Sequence, residues 1–169
     1  MKKLRVGWFT FTCCEDNAIV FVEMLNRYYF KWIEQLDFRY CKMLKSKNVL
    51  DELDVAFVEG AISNDHEKER LLDVRKRSRY VVAVGSCACT GYPSAQRNDF
   101  LPKQKESIRP FLKRWKLYEK VLKVDQVVNV DDYVSGCPMF EQIFLEVLDK
   151  YLRLFDIPEP EESGRTGKG

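Results

Sequence analysis

Residues 80–91, YVVAVGSCACTG, join five apolar residues directly to a loop with two glycines and two cysteines. Such a continuous apolar run is typical of a strand that is buried on both faces of a parallel sheet. The segments LRVGWFTFT at 4–12 and VAFVEGAI at 55–62 predict two further strands. Shorter strands are expected at 38–44 and 127–134.

Helices are predicted between these strands. The apolar spacing predicts them at 15–36, from Asn64 or Asp65 to about Ser78, at 107–117 and at 138–155, with a polar loop at 91–106. Strands that alternate with helices predict an α/β fold: a doubly wound, mainly parallel sheet with helices on both faces. We expect a single domain over residues 1–157, followed by a disordered tail at 158–169.

The first predicted helix is apolar around most of its circumference. Its main stripe consists of Ile19, Val22, Leu25, Tyr29, Trp32, Ile33 and Leu36, while Val20, Phe21, Tyr28 and Phe30 lie off that stripe. A helix of this kind is covered on more than one side. It is either the central helix of a thick core or a helix that presents a surface to a partner.

Composition excludes several classes of protein. The chain has 28 basic and 26 acidic residues, a net charge of +2 that is too small to indicate a nucleic-acid partner. The basic run RKRSR at 75–79 is explained by its place at a helix carboxyl end, where cations are favoured. No apolar run approaches the roughly 18 residues of a membrane span. The first residues predict a strand and not a secretory signal, so we expect a cytoplasmic protein.

The single histidine, His66, excludes a metal site built on several histidines and weakens every Ser–His or Cys–His catalytic reading. The six cysteines are therefore the side chains to consider first as metal ligands. In a cytoplasmic chain of this size, they are expected as metal ligands or core residues rather than as disulfides.

Five of the six cysteines follow predicted strands. Cys13 and Cys14 follow the first strand, Cys87 and Cys89 follow YVVAV, and Cys137 follows the last extended segment. The carboxyl ends of parallel strands meet at one edge of the sheet, so these thiols can converge. Soft thiolates on loops with nearby glycines suit an iron–sulfur cluster. Structural zinc would use compact C-x₂₋₄-C pairs, which the sequence lacks.

The motifs VEGAI at 58–62, GSCACTGYP at 85–93, QRN at 96–98 and GCP at 136–138 resemble the small subunit of nickel–iron hydrogenases. They also resemble the homologous 20 kDa subunit of respiratory complex I. The resemblance runs from the first strand to the last helix. It implies a flavodoxin-like domain with one [4Fe–4S] cluster beside the large subunit's active site. The chain looks like the short, one-cluster form of cytoplasmic hydrogenases, without the further clusters of a C-terminal extension.

The same resemblance implies the ligands. Cys87 and Cys137 match the family's motifs directly, and Cys13 and Cys14 resemble the tandem cysteines of complex I. Hydrogenases have C-x-x-C after the first strand, which would put Asp16 in place of Cys14 as a substitute ligand. We favour Cys14, because two thiolates match the softness of iron in a cluster better than a carboxylate does.

Four other residues are candidates for the surroundings of the cluster, and each has an ordinary structural reading. Glu15 is either a first-turn acid of the helix or part of a proton path, and Glu59 and Arg97 either line the cluster loop or form salt bridges. Cys89 is expected to pack or to lie beside the cluster. Cys41 is expected to be a buried core residue.

The resemblance implies an electron-transfer subunit that is not itself catalytic and that works within an oxidoreductase complex. Its expected partners are a [NiFe] hydrogenase large subunit and a flavin or iron–sulfur electron-acceptor subunit, with no nucleic acid and no membrane span. One alternative is a complex I-like electron-transfer module. Another is a scaffold subunit that has kept the fold and lost the cluster.

Overall fold

The computed structural model describes residues 2–160 and contains a five-stranded, fully parallel sheet with strand order β2-β1-β3-β4-β5. This order and the helices between the strands confirm the predicted doubly wound α/β fold. The strands are β1 (Leu4–Thr10), β2 (Leu36–Cys41), β3 (Leu53–Glu59), β4 (Ser78–Val84) and β5 (Asp132–Val134). The helices are α1 (Asp16–Gln35), α2 (Asp65–Arg77), α3 (Gly85–Thr90), α4 (Pro102–Arg114) and α5 (Glu141–Leu154).

The strand register aligns the carboxyl ends of four neighbouring strands. Thr10 of β1 pairs with Glu59 of β3, Glu59 pairs with Val84 of β4, and Val84 pairs with Val134 of β5. These four residues form one row across the sheet. The loops after the row therefore begin side by side, although they are far apart in the sequence.

Both faces of the sheet are covered by apolar side chains. In β4, Val82 and Val84 belong to one core cluster, while Val81 and Ala83 belong to the other. The first cluster includes residues of α1 and α5, such as Phe21. The second includes residues of α2. This arrangement confirms the expectation that YVVAV is a strand buried on both faces.

The start of α2 follows from its capping chemistry. The Asn64 side chain accepts a hydrogen bond from the backbone N–H of Glu67 at 2.9 Å, which satisfies one of the free donors of the first turn. Arg75, Lys76 and Arg77 lie in the last turn, where the helix dipole favours cations. The basic run is therefore a helix terminus, as predicted.

Several boundaries differ from the predictions: β2 is Leu36–Cys41 rather than 38–44, and α5 begins at Glu141 rather than at 138. The GSCACT segment forms the short helix α3 instead of a loop. Strand β5 is limited to Asp132–Val134, because residues 127–131 form turns and irregular backbone after the 3₁₀ turn at Val124–Gln126. The helix predicted at 107–117 begins at Pro102 instead, so Pro110 lies inside it. Pro102 at the first helical position is favourable, because proline has the backbone angle that a helix start needs.

The boundary of the single domain at residue 157 stays a prediction. The predicted tail at 158–169 falls mostly on residues 161–169, outside the described part of the chain. Between residues 2 and 160, the helices are all too short or too polar to cross a membrane.

Candidate metal centre

Three loops at the carboxyl edge of the sheet carry the four predicted ligands. Cys13 and Cys14 follow β1, Cys87 lies in α3 directly after β4, and Cys137 follows β5. Each loop begins just beyond the row of paired strand ends. The topology thus brings the loops to the same edge, as the sequence indicated.

Backbone hydrogen bonds join these loops to one another. The Thr12 N–H donates to the Ala61 carbonyl at 3.0 Å, and the Ala61 N–H donates back to Thr12 at 2.9 Å. The Ser86 N–H donates to the Gly136 carbonyl at 2.7 Å. The first pair connects the loops after β1 and β3, and the second connects the loops after β4 and β5.

Ser94 links the loop that follows α3 to the cysteines. Its hydroxyl lies 3.0 Å from the carbonyl oxygen of Thr12 and 3.2 Å from the sulfur of Cys87. A hydroxyl has one proton to donate, so it can serve either acceptor. Ser94 therefore holds the segment after α3 against the loop that precedes Cys13.

Asn17, near the start of α1, joins all three cysteine loops. It follows Cys14 by three residues, and its Oδ1 accepts the backbone N–H of Met139 at 2.8 Å, two residues after Cys137. Its amide also abuts Gly85, where an added Cβ would lie 2.3 Å from Nδ2. Only glycine fits there, because the backbone also has a positive φ of 78°.

The four thiols divide into an inner and an outer pair. Cys87 is 5% exposed and packs with Ala61, Ala95 and Val121, and Cys13 is partly buried against the same small cluster. Burial, followed by the charge of Glu59, raises the pKa of Cys13 to about 12. Cys14 and Cys137 are both exposed.

Glu15 shapes the turn between the cysteines and α1. It has a left-handed backbone with φ of 66°, and its N–H donates to the Cys13 sulfur at 3.4 Å. The Asp16 N–H lowers the pKa of the Cys14 thiol, but burial and the Asp16 carboxylate outweigh it, so the pKa is raised. Asp16 thus adjoins Cys14, but its carboxylate acts on the thiol as a negative neighbour.

Within residues 2–160, no three His, Cys, Asp or Glu side chains come close enough together to hold a metal ion. The donor set nevertheless suits a thiolate-bound cluster. All six cysteines are free, and the four predicted ligands lie in the segments directly after β1, β4 and β5, which hydrogen bonds connect at one edge of the sheet. Soft sulfur donors favour iron–sulfur clusters or zinc over hard cations such as Mg²⁺. The four-ligand set stays a prediction.

Glu59 is fully buried at the end of β3. Its Oε1 accepts the indole N–H of Trp8 at 3.1 Å and the hydroxyl of Thr10 at 2.7 Å. Its Oε2 has no hydrogen-bond partner among the described residues. Glu59 therefore forms hydrogen bonds rather than the salt bridge considered from sequence, and its charge is felt by Cys13.

Arg97 binds backbone rather than a carboxylate. Its Nη2 donates to the Tyr118 carbonyl at 2.9 Å, and burial lowers the pKa of its guanidinium. The salt bridge considered from sequence is therefore not formed within the described chain. The bond instead fixes the segment that returns from α4 beside the loop after α3.

The two remaining cysteines pack in the core. Cys41 is completely buried at the end of β2, as expected. Cys89 is partly buried, and its thiol lies 3.5 Å from the Ala83 carbonyl and 3.7 Å from the Val134 carbonyl. Burial, followed by the charge of Asp125, raises the pKa of Cys89 to about 11. Its contacts with two strands are those of a packing residue.

The exposed face of α1 is apolar. Phe21 and Met24 point into the core, and so do Trp32 and Leu36 of the predicted stripe. Of the stripe's other residues, Ile19, Val22, Tyr29 and Ile33 face solvent. Together with Phe30, which lies off the predicted stripe, these four residues form an exposed apolar stripe in which each side chain is between 39% and 60% exposed. This stripe begins one turn after the exposed Cys14. Of the two readings of this helix, the structure favours the one in which it presents a surface to a partner.

Sequence reasoning missed Asn17 and Ser94. Both are common polar residues, and neither belongs to a recognisable motif. Asn17 follows Glu15 and Asp16 directly, so in the sequence it looks like one more polar residue of a first helical turn. Its partner, Met139, is 122 residues away, so only the folded topology pairs them.

Comparison with known proteins identifies relatives over most of the chain. Residues 14–151 match the family described as NADH ubiquinone oxidoreductase, 20 kDa subunit. The chain is 29% identical over 155 residues to coenzyme F420 hydrogenase subunit gamma of Methanosarcina barkeri, covering 86% of this chain and 53% of that protein. It is 31% identical over 151 residues to sulfhydrogenase 2 subunit delta of Pyrococcus furiosus, covering 86% of this chain and 60% of that protein.

The chain thus spans little more than half the length of these two relatives. Among solved structures, it resembles a chain of an NAD⁺-reducing [NiFe]-hydrogenase in the H₂-reduced state, with a TM-score of 0.77 and 23% identity. That match covers 96% of this chain and 97% of the other. At this identity, the match supports the shared fold.

Proposed function

The chain belongs to the family of the 20 kDa subunit of NADH–ubiquinone oxidoreductase, and from this premise we propose that it is the electron-transfer small subunit of a [NiFe] hydrogenase. It carries one [4Fe–4S] cluster and passes electrons between the nickel–iron site of a large subunit and a redox partner subunit in the cytoplasm. The observation that carries the proposal is the joining of the cysteine loops at one sheet edge by hydrogen bonds through Asn17 and Gly136.

Cys13, Cys14, Cys87 and Cys137 are the proposed cluster ligands. When bound, the cluster supplies a one-electron carrier held by four thiolates. The chain's own residues provide its setting. Cys87 and Cys13 lie on the protein side, beside small apolar residues, and Cys14 and Cys137 lie on the solvent side. Ordering of this outer pair is expected when the cluster is assembled, because a metal site and its loops form together.

The large subunit is proposed to cover the exposed apolar stripe of α1. The stripe starts at Ile19, whose N–H donates to the Glu15 carbonyl at 3.1 Å, so it adjoins the turn that contains Cys14. Phe140, 60% exposed, follows Cys137 by three residues. An apolar surface beside both outer thiols favours a partner that buries the cluster edge. Electrons would then cross between subunits over a short, dry path.

H₂ cleavage is assigned to the large subunit, as the relatives' composition in several subunits suggests. In this proposal the chain transfers electrons and performs no acid–base chemistry on a substrate. It therefore has no hydrogenase activity alone, and its contribution is to hold the cluster and tune its potential. The local features that would set the reduction potential of the cluster are backbone N–H groups, the charge of the buried Glu59 and the exclusion of water.

A complex I-like electron-transfer module is the second candidate. The adjacent cysteines at 13 and 14 favour it, as does the description of the matching family. This candidate has the same cluster and the same ligands as the hydrogenase proposal, but it assigns the chain a different partner subunit. The two candidates separate on the large chain that co-purifies, because nickel-binding C-x-x-C pairs at both of its ends would indicate a hydrogenase.

Anaerobic purification with measurement of iron, acid-labile sulfide and the EPR spectrum tests the shared core of both candidates. We expect roughly four irons and four sulfides per chain. Alanine at any proposed ligand should lower both contents, whereas the control variants Cys41→Ala and Cys89→Ala should retain them. Near-zero iron in the intact complex would overturn the proposal and leave the fold as a scaffold subunit.

A further inference from the structure

Residues 101–120 carry a concentration of positive charge. The segment holds seven basic residues and two acidic ones, a net charge of +5 in a chain whose total is +2. The rest of the chain is therefore net negative, at −3. The basic residues are Lys103, Lys105, Arg109, Lys113, Arg114, Lys116 and Lys120.

The same segment exposes an apolar stripe. Every residue of α4 is at least partly exposed, so the helix lies on the outside of the domain. The apolar residues fall within an arc of roughly 100° on one face of the helix, because a helix turns 3.6 residues per turn. They are Leu101, Ile108, Phe111, Leu112 and Trp115, of which Leu101, Phe111 and Trp115 are 68%, 52% and 61% exposed.

The stripe includes a projection and a groove. The rings of Phe111 and Trp115 lie with their centroids 5.8 Å apart and form an aromatic projection. Ile108 and Leu112 line a groove of about 100 Å³, whose charged rim includes Lys105, Arg109, Glu119 and Lys120. Tryptophan and arginine are the residues that dominate binding energy in protein interfaces.

The segments before and after α4 lie beside the cysteine loops. Asn98 and Val121 exchange two hydrogen bonds: the Asn98 amide donates to the Val121 carbonyl at 2.9 Å, and the Val121 N–H donates to Asn98 Oδ1 at 2.8 Å. Val121 in turn packs in the small cluster that contains Cys87. The two segments that flank α4 are therefore anchored to the residues packed around Cys87, which connects the helix to the proposed cluster site.

We infer that α4 and residues 119–120 form the docking surface for an acidic, carboxylate-rich face of the redox partner protein. This inference rests on the proposed function, since it places the partner that exchanges electrons with the cluster. Opposite charge would guide the encounter, and the apolar stripe would hold the complex. A concave groove and a ring pair favour a protein surface over a flat bilayer. None of its residues belongs to the stripe of α1, so the inference assigns the two partners to different surfaces.

The test uses the native complex purified through a tag on this chain. A zero-length carbodiimide joins lysines to nearby carboxylates, and mass spectrometry identifies the linked peptides. We expect Lys103, Lys105 or Lys120 to be joined to Asp or Glu residues of the flavin or iron–sulfur subunit. Links from these lysines to the nickel-containing large subunit, or none to a redox subunit, would overturn the inference.

Charge reversal provides the second measurement. The double variant Lys105→Glu/Arg109→Glu should weaken retention of the redox subunit at least about tenfold, because like charges then face each other. The control Lys68→Glu/Lys76→Glu makes the same charge change at exposed positions of α2 and should retain the subunit. Equal retention of the redox subunit by both double variants would refute the docking surface. It would also be refuted if Lys105→Glu/Arg109→Glu kept the redox subunit and instead lost binding to phosphatidylglycerol vesicles.

The iron content of the complex distinguishes failure of the proposed function from failure of the docking surface alone. A complex without iron defeats the proposed function and this inference with it. A complex with full iron that keeps its redox subunit in the charge-reversed variant defeats the docking surface alone.

Discussion

Asn17 and Met139 are joined by a hydrogen bond of 2.8 Å that connects the first helix to the loop carrying Cys137. Both residues are buried, at 7% and 3% exposure. The bond holds two cysteine loops that are separated by more than 120 residues, and the Asn17 amide also fills the space above Gly85. The geometry of the candidate site thus depends on an asparagine that is not itself a ligand.

The variant Asn17→Ala should destabilise the cluster-free chain by about 1–3 kcal/mol, because the buried Met139 N–H loses its acceptor. Urea unfolding followed by circular dichroism measures this change. The matched control is Asn26→Ala, an exposed asparagine on the same helix, which should change stability by less than about 0.5 kcal/mol. Similar losses in both variants would contradict a specific role for Asn17.

Comparing Gly85→Ala with Gly91→Ala distinguishes the cost of backbone strain from the cost of a steric clash between the new Cβ and Asn17. Both glycines have positive φ, 78° and 90°, so each alanine should cost about 1–2 kcal/mol. At Gly85, the new Cβ would also lie 2.3 Å from Asn17 Nδ2, whereas at Gly91 the nearest atom is 3.3 Å away. Gly85→Ala should therefore be clearly the more damaging variant in thermal unfolding.

Equal melting temperatures for the two alanine variants would show that Asn17 moves aside at no cost. The double variant Gly85→Ala/Asn17→Ala provides the check. If the collision is with Asn17, then the second substitution should recover part of the stability that Gly85→Ala loses.

Much of the fold was predictable because its patterns are local. The YVVAV strand and the alternation of strands with helices gave the parallel sheet. The sheet in turn predicted that the loops of Cys13, Cys87 and Cys137 lie at one edge, where the structure has them. This step needs only topology, since parallel strands end on the same side.

The missed features depend on tertiary contacts or on weak local signals. The first turn of α4 is polar, so no apolar periodicity marked its start at Pro102. The sequence also did not show which face of α1 packs against the core. Its residues are apolar on two sides, and only packing decides that Phe21 and Trp32 face the core while Ile19 and Phe30 face solvent. The Asn17 bond pairs residues from opposite ends of the chain.

Cys14→Ala and Asp16→Ala decide the fourth ligand. Thiolate is the softer donor, so Cys14→Ala should lose at least about half of the roughly four irons per chain. Asp16→Ala should keep its iron, because its carboxylate is proposed as a neighbour and not as a ligand. Iron and acid-labile sulfide measured after anaerobic purification give the answer. The reverse pattern would identify Asp16 as the ligand and Cys14 as a bystander.

The Arg5–Asp54 pair should make stability depend on pH in the acid range. Asp54 accepts hydrogen bonds from the Arg5 backbone N–H and from Nη2, both at 2.9 Å, and joins β1 to β3. Burial raises the pKa of Asp54, but the bonds and charge of Arg5 outweigh it and hold the pKa below its usual value. The stabilisation is therefore full above about pH 3.9, the pKa of an unfolded aspartate, and is lost as the pH falls through the lower folded value.

Asp54→Asn should accordingly cost about 1–2 kcal/mol at pH 7, a range reduced for the partial exposure of Arg5, and much less near pH 2. As the pH falls through the lowered pKa of Asp54, the wild-type carboxyl becomes neutral, so the two chains become electrostatically alike. Urea unfolding at several pH values measures the difference between them. The control Asp51→Asn removes the partner of Arg39 in a more exposed pair and should have a smaller effect at every pH. A penalty for Asp54→Asn that is the same at pH 7 and pH 2 would mean that hydrogen-bond geometry, and not charge, carries the contribution of Asp54.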